Sequence, residues 1–154
     1  MADDGQVTRS DVLPVTVAEF DRLLLADERT VVAMAAARVL PTALVFQFLI
    51  RLKDNDGGTN PNLAFDLPHL LRPGDLRLGV RAQTASGVMD VPVHVAGGGG
   101  GDGSFEFKMW FELPDGATAL QLWSEWPERD LPERGTDLDP DLIRQAAARC
   151  APLW

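Results

Sequence analysis

The clearest alternation of apolar and polar residues lies in two runs within Ser104–Trp126, separated by Pro114-Asp115-Gly116. An Asp-Gly pair between two alternating runs is typical of a two-residue β-turn, so the pattern predicts that the runs pair as a hairpin. In that register one face of the hairpin is almost wholly apolar, and we expect it to belong to a hydrophobic core. This face carries Phe105, Phe107, Met109, Phe111 and Leu113 on the first run, and Leu120, Leu122, Ser124 and Trp126 on the second.

The opposite face of this predicted hairpin is unusual because it carries two tryptophans. Trp110 and Trp123 would lie diagonally opposite each other, and Lys108 would face Trp123 closely enough for a cation-π contact. A tryptophan left in water is a rare use of a residue that buries up to ~250 Å². We therefore expect a cover over this face: in first place the C-terminal helix, otherwise a partner subunit or a ligand. The candidate binding residues are Trp110, Trp123, Lys108, Glu106, Glu125 and Gln121, with Glu106 opposite Glu125 as a like-charge pair.

A second hairpin is predicted from Thr30–Leu40 and Ala43–Lys53, with its turn at Pro41-Thr42. In this register small side chains face large ones along one face, which favours strands over the helix that the alanines alone would suggest. The pairs are Ala37 with Phe46, Ala35 with Phe48, and Ala33 with Ile50. The reverse face is also apolar, with Met34, Val45 and Leu49, so we expect this hairpin to be covered on both sides.

Three further runs alternate as strands do. Val12–Val17 contains Pro14, which lacks an N–H and therefore indicates an edge strand or a strand start. Leu76–Ala82 and Val88–Val95 are joined by a turn at residues 85–87. The first of these two runs places leucine and valine inward and two arginines outward.

The helical signals are weaker except near the C-terminus. Strand and helix compete over Val17–Ala26, where a capping-box spacing favours a short helix. Residues 61–75 are predicted to be irregular with one helical turn, and residues 127–137 to be a loop. Asp139 is predicted to cap a helix that begins at Pro140 and ends near Cys150.

These elements together predict an antiparallel β-sandwich, or a partly open barrel, of about seven strands with a C-terminal helix. Residues 12–154 would form a single β-rich domain after a flexible amino terminus, residues 1–11.

The net charge of −9 on 154 residues disfavours nucleic acids and anionic membranes, because both attract basic surfaces. Cys150 is the sole cysteine, and the amino terminus is acidic where a signal peptide would be basic and then apolar. We therefore expect a cytoplasmic protein.

The sequence contains no motif that identifies a reaction or a cofactor. Residues 97–103 (GGGGGDG) match a dinucleotide fingerprint only trivially, because they precede a strand and not a helix, and we predict a mobile loop without regular structure. Residues 54–58 (DNDGG) and the aspartates between Asp137 and Asp141 fail the calcium-loop pattern. His69 and His94 have no neighbours at metal-ligand spacing, so we expect no metal and no cofactor.

The Val-Pro-Val start, Gly97–Gly101 before an aromatic strand, Trp126-Pro127 and the closing Leu153-Trp154 resemble small actinobacterial proteins for which no activity is known. The resemblance therefore implies no role for any residue.

Apolar residues on both faces of the Thr30–Lys53 hairpin favour a non-enzymatic module for protein interaction or assembly, of which self-association is the simplest form. The alternative is a small-ligand binder, possibly for a carbohydrate-like ligand, or a small enzyme. Its pocket would be lined by Trp110, Trp123, Glu106 and Glu125.

Overall fold

The computed structural model describes residues 12–53, 60–65 and 67–152. The strands are β1 (Val12–Leu13), β2 (Val15–Thr16), β3 (Arg22–Ala26), β4 (Thr30–Val39), β5 (Ala43–Leu52), β6 (Arg77–Thr84), β7 (Gly87–Val91), β8 (His94–Gly101), β9 (Ser104–Glu112), β10 (Ala119–Trp126), β11 (Leu131–Leu138) and β12 (Ala151–Pro152). One α-helix, α1 (Pro140–Ala148), and three short 3-10 helices (Ala18–Phe20, Pro68–Leu70, Pro127–Arg129) complete the described elements.

The strands form two main antiparallel sheets. The first sheet has the order β2-β4-β5-β9-β8, with β3 pairing along the same edge of β4 as β2. The second has the order β11-β10-β6-β7, and β1 pairs separately with β12. Neither main sheet closes into a barrel within the described residues, so the prediction of a mainly antiparallel β fold with a C-terminal helix is confirmed in its sandwich form. No described helix has the length and apolar character needed to cross a bilayer.

The core lies between the two sheets. Phe46 on β5 packs edge-to-face against Phe111 on β9, with 6.4 Å between the ring centroids, and Phe48 packs in the same way against Phe65. The second sheet contributes the alternate, inward residues of its strands. The largest fully buried side chains include Phe20, Phe46, Phe48, Phe111, Leu44, Met109, Leu122 and Leu138.

The predicted hairpin between the runs of Ser104–Trp126 is wrong, although its core face is confirmed in Phe105, Met109, Phe111, Leu120, Leu122, Ser124 and Trp126. Each of the two strands already has two other neighbours: β9 lies between β5 and β8, and β10 lies between β6 and β11. Asp115-Gly116 does form a turn, with φ +69° at Gly116. The backbone on either side of it bonds to different sheets, because Leu113 donates to Thr42 and Thr118 to Gln83.

The hairpin of β4 and β5 is confirmed, but its register shifts by one residue at a β-bulge. Near the turn the predicted pairing holds, with Val39 opposite Leu44. Ala36 adopts a left-handed conformation (φ +53°), and its N–H donates to the Asp21 carboxylate at 2.9 Å. Beyond the bulge the predicted alanine pairs are wrong, because Met34 faces Phe48.

Three segments that were not predicted as strands are strands. The helix predicted over Val17–Ala26 is only a 3-10 turn followed by β3, in which a bulge between Leu23 and Leu25 gives the apolar residues a helix-like spacing. Residues 97–101 continue β8, so the prediction that this segment lacks regular structure is wrong. The stretch predicted as a loop after Trp126 contains β11.

Other local predictions are confirmed. β6 and β7 form the expected pair, and the expected helical turn within residues 61–75 lies at Pro68–Leu70. The predicted run Val88–Val95 is not one strand, because after Val91 the chain leaves β7 and enters β8 of the other sheet at His94. Asp139 caps α1 by accepting a hydrogen bond from the N–H of Asp141 at 2.9 Å. The DNDGG segment, residues 1–11 and Leu153-Trp154 lie outside the described residues.

Candidate functional site

The outer face of the second sheet is organised around Trp123 on β10. The residues directly opposite it are glycines on both neighbouring strands, Gly79 on β6 and Gly135 on β11. A Cβ on Gly79 would lie 2.5 Å from the indole Nε1, so the Trp123 ring occupies the space that a side chain would take. On the other side the Gln121 side chain lies over Gly135 in the same way. The glycines thus allow two β10 side chains to lie down across their neighbours.

Arg81 crosses above the Trp123 ring. Its Cζ lies 4.9 Å from the ring centroid, and its two terminal nitrogens each donate to a different oxygen of Glu133 at 3.1 Å. The hydrogen bonds with Arg81 lower the pKa of Glu133, and the same bonds raise the pKa of Arg81. This arrangement combines a cation-π contact with a two-point ion pair, which fixes the guanidinium over the indole.

A cleft of about 470 Å³ opens beside Trp123. Its apolar walls come from the 61–75 connection and from the end of β7, and charged side chains stand at its rim. The lining residues are Phe65, Leu71, Arg77, Leu78, Gly79, Val80, Arg81, Asp90, Val91, Pro92, Val93 and Trp123.

The cleft lies where β6 loses its outer neighbour. β7 pairs with β6 only from Val80 to Thr84, because the chain leaves at Val91 and continues into β8 of the other sheet. The start of β6, Arg77–Gly79, therefore has β10 on one side and the cleft on the other.

The peptide groups of this open segment alternate in direction. The carbonyl of Arg77 accepts from the Ser124 hydroxyl at 2.8 Å, and that of Gln83 accepts from the Thr118 N–H at 2.8 Å, so both point toward β10. In an antiparallel strand the N–H and C=O of one residue point to the same side, and those of the next residue point to the other side. The N–H and C=O of Leu78 therefore point toward the cleft.

Two further charged side chains stand at the rim. Asp90 lies opposite Arg81 and acts on it electrostatically. Arg77 lies opposite Glu125 but forms none of the side-chain hydrogen bonds or ion pairs found in the described part of the chain, so its guanidinium can reach a ligand in the cleft.

Trp110 lies on the outer face of the first sheet. Its ring stacks on His94, with 4.4 Å between centroids, and it packs with Leu40, Ala43 and Val45 in a second small apolar cluster. Cover on the outer side of the β4–β5 hairpin is therefore local, and it comes from Trp110 and from Val12 of β1.

The structure divides the six predicted site residues between two sheets. Glu106, Lys108 and Trp110 lie on β9, while Gln121, Trp123 and Glu125 lie on β10. The alternation of both strands places these two groups on opposite outer faces of the sandwich, because the intervening residues point into the shared core.

The contacts predicted between these residues are consequently wrong. Glu106 pairs with Arg51 at 3.2 Å and Glu125 lies opposite Arg77, so the two carboxylates do not face each other. The cation on Trp123 is Arg81 and not Lys108.

The prediction that α1 covers both tryptophans is also wrong. Ile143 and Ala146 enter the main core, and Arg144 donates to the carbonyl of Ala117 at 2.9 Å. The helix is thereby tied to the connection between β9 and β10, at the end of the sandwich. Trp110 and Trp123 lie on two different outer faces, which one short helix cannot cover.

Several residues of this site were not proposed from the sequence, namely Gly79, Arg81, Glu133, Arg77 and Asp90. One signal was available, since a glycine inside an alternating strand marks close approach by another group. In the described residues no three His, Cys, Asp or Glu side chains lie together as a metal site would require.

No protein-family model matches the chain, and no curated protein is significantly similar to it. Among solved structures, it is similar to a conserved domain protein from Bacillus anthracis, with 14% sequence identity and a TM-score of 0.43. The similarity covers 77% of this chain and 47% of that one, so the chain spans about half of that protein's length.

Proposed function

We propose that the protein is a non-enzymatic interaction module that binds an extended segment of a partner protein along the open edge of β6. The observation that carries the proposal is the direction of the backbone N–H and C=O of Leu78, which face the cleft at the position where β7 has ended. An added strand would continue the ladder there, as in other cases of β-augmentation.

The lining of the cleft supports a particular kind of segment. A strand in line with β7 would run antiparallel to β6, and its side chains would alternate between two sides. One set would meet the apolar wall with Phe65 and Leu71, and the other would lie beside Trp123 and Arg77. Because the Arg77 guanidinium forms no ion pair with another described residue, we expect an acidic side chain of the segment near it. The segment would be short, so the affinity would be that of a small, transient interface.

A second candidate is a small polar ligand in the same cleft. Its volume of about 470 Å³ falls within the usual range for ligand pockets, ~300 to 1,000 Å³. A carbohydrate-like ligand would need an open aromatic face, whereas the Trp123 ring lies between Gly79 and Arg81. This geometry favours the peptide over the stacked ligand.

Selection from a random peptide library displayed on phage tests the proposal. We expect enriched peptides to combine alternating apolar residues with an acidic residue, and to slow hydrogen exchange at the Leu78 amide. Arg77→Glu should weaken binding by about tenfold or more, ~1.4 kcal/mol. Arg134→Glu is the matched control, because Arg134 is exposed on the far edge strand β11 and makes the same charge change.

Two outcomes would count against a peptide ligand. One is binding that is equally sensitive to Arg77→Glu and Arg134→Glu. The other is a library that yields no binder while a small-molecule fragment or sugar shifts the Leu78 and Trp123 resonances, which would favour the second candidate.

A further inference from the structure

The outer edge of the first sheet is a strand almost without side chains. β8 contains the consecutive glycines Gly97–Gly101, which pair with β9 from Lys108 to Ser104. All five glycines are exposed. The strand is thus held to β9 by its backbone, and its other edge faces solvent.

Two of these glycines are required by β9. A Cβ on Gly98 would lie 2.3 Å from the carbonyl oxygen of Glu106, and one on Gly100 would lie 2.1 Å from that of Ser104. Both distances are far below contact, so no larger residue fits without moving β8 away from β9.

At Gly99 and Gly101 no contact with a described residue requires glycine. A Cβ on either would meet nothing within 4 Å. A side chain at Gly99 or Gly101 would therefore stand in open space, and its absence leaves the outer edge of β8 accessible to the backbone of another strand.

The two edges of the second sheet carry features that block pairing. The edge strand β7 carries Asp90 and is followed by Pro92, and the edge strand β11 contains Pro132, Glu133 and Arg134. Charges and prolines of this kind protect edges from adding strands. Gly97–Gly101 carries neither.

We propose that β8 pairs antiparallel with β8 of a second copy of this chain, joining the two first sheets into one. Pairing of a surface with itself about a two-fold axis is the commonest form of assembly in soluble proteins. A two-fold axis at Gly98 places Gly97 of one copy opposite Gly99 of the other.

This register also brings opposite charges together. Lys108 lies beside Gly97, and Glu106, which also pairs with Arg51 at 3.2 Å, lies beside Gly99. Both side chains are on the exposed outer face. Across the interface, Lys108 and Gly97 of one copy then lie in line with Gly99 and Glu106 of the other. Four strands at ~4.8 Å spacing place the two Cα atoms ~14 Å apart, and extended Lys and Glu side chains bridge that span because no side chain stands between them. The two-fold axis repeats the pair.

Sedimentation equilibrium over a range of concentrations tests the proposal. We expect a reversible dimer of the wild type. Gly99→Val should keep the fold, since its Cβ meets open space, and should weaken dimerisation at least tenfold. Lys108→Glu should also weaken the dimer, because it places a second carboxylate near Glu106 of the other copy.

A wild type that stays monomeric into the millimolar range would overturn the proposal, and so would a dimer that Gly99→Val leaves unchanged. A monomer whose β8 amides become protected by an unrelated strand would assign the edge to a different partner and equally overturn self-pairing. None of these variants touches the cleft beside Trp123, which lies on the other sheet, so the result is independent of peptide binding.

Discussion

Replacing Gly98 by alanine should separate β8 from β9. The new Cβ would lie 2.3 Å from the carbonyl oxygen of Glu106 and 2.6 Å from the Cα of Phe107. Both are backbone atoms of a strand that β5 holds on its other side, so they cannot rotate away as a flexible side chain would. Gly98 also has φ +132°, a conformation that residues with side chains rarely adopt.

The magnitude follows from these two effects. Overpacking of this kind costs ~1 to 3 kcal/mol, and an unfavourable backbone conformation adds ~1 to 3 kcal/mol. We expect Gly98→Ala to lower the free energy of unfolding by ~2 to 4 kcal/mol, because the two penalties are partly relieved together. At Gly100, where the steric contact acts alone, the expected loss is ~1 to 3 kcal/mol.

Gly99→Ala is the matched control in the same strand. Its Cβ meets nothing within 4 Å, so the substitution should be neutral, or stabilising by ~0.4 to 1 kcal/mol through the less flexible unfolded chain. Urea unfolding measures all three variants, at concentrations low enough to exclude self-association. Equal losses at Gly98, Gly99 and Gly100 would refute the reasoning, because they would reflect a general intolerance of the strand and not contact with β9.

Three further predictions rest on local contacts. Asp139→Ala removes the N-cap of α1 and should cost ~1 kcal/mol in urea unfolding, whereas Asp139→Ser should retain most of it; no loss would contradict the cap. Asp21→Ala removes the acceptor for the N–H of Ala36 at the β4 bulge and should lower the free energy of unfolding by ~1 kcal/mol. Hydrogen exchange at the Ala36 amide should become faster, and an unchanged exchange rate would contradict the contact. The lowered pKa of Glu133 means that its pairing with Arg81 stabilises the fold above the unfolded pKa and is lost as the pH falls through the folded pKa; Glu133→Gln should flatten that part of the stability profile, and an unchanged profile would contradict it.

The sequence pattern predicted faces better than it predicted neighbours. The alternation of apolar and polar residues predicts which side of a strand is buried, and this prediction is confirmed for β6, β9 and β10. It carries no information about which strand bonds to which edge. A turn at Asp115-Gly116 fits both a hairpin and a crossing between sheets, and the crossing separated Trp110 from Trp123. Of the predicted site residues, Trp123 lines the cleft, with Gln121 and Glu125 on the same strand, whereas Glu106, Lys108 and Trp110 lie on the other sheet.

Bulges and side-chain-poor strands account for the remaining differences. A bulge changes the phase of alternation by one residue, which made β3 look helical and shifted the register beyond Ala36. β11 is an edge strand with few inward residues, so its composition resembles a loop. The glycines of β8 have no side chains at all, and only the backbone of β9 shows that they form a strand.

From the sequence, glycine was interpreted as a sign of a flexible backbone. In this fold, several glycines instead stand where a neighbouring group lies against the backbone. At Gly79 the approaching group is the Trp123 indole, at Gly135 it is the Gln121 amide, and at Gly98 it is the backbone of β9. In each case the missing Cβ leaves a space that a neighbour fills, and that neighbour could not be named before the sheets were assigned. A strand that needs every second residue to be glycine for contact with β9 does not need five in a row. No neighbour within the described residues excludes a side chain at Gly99 or Gly101, and the second copy that we propose along the open edge of β8 would be such a neighbour.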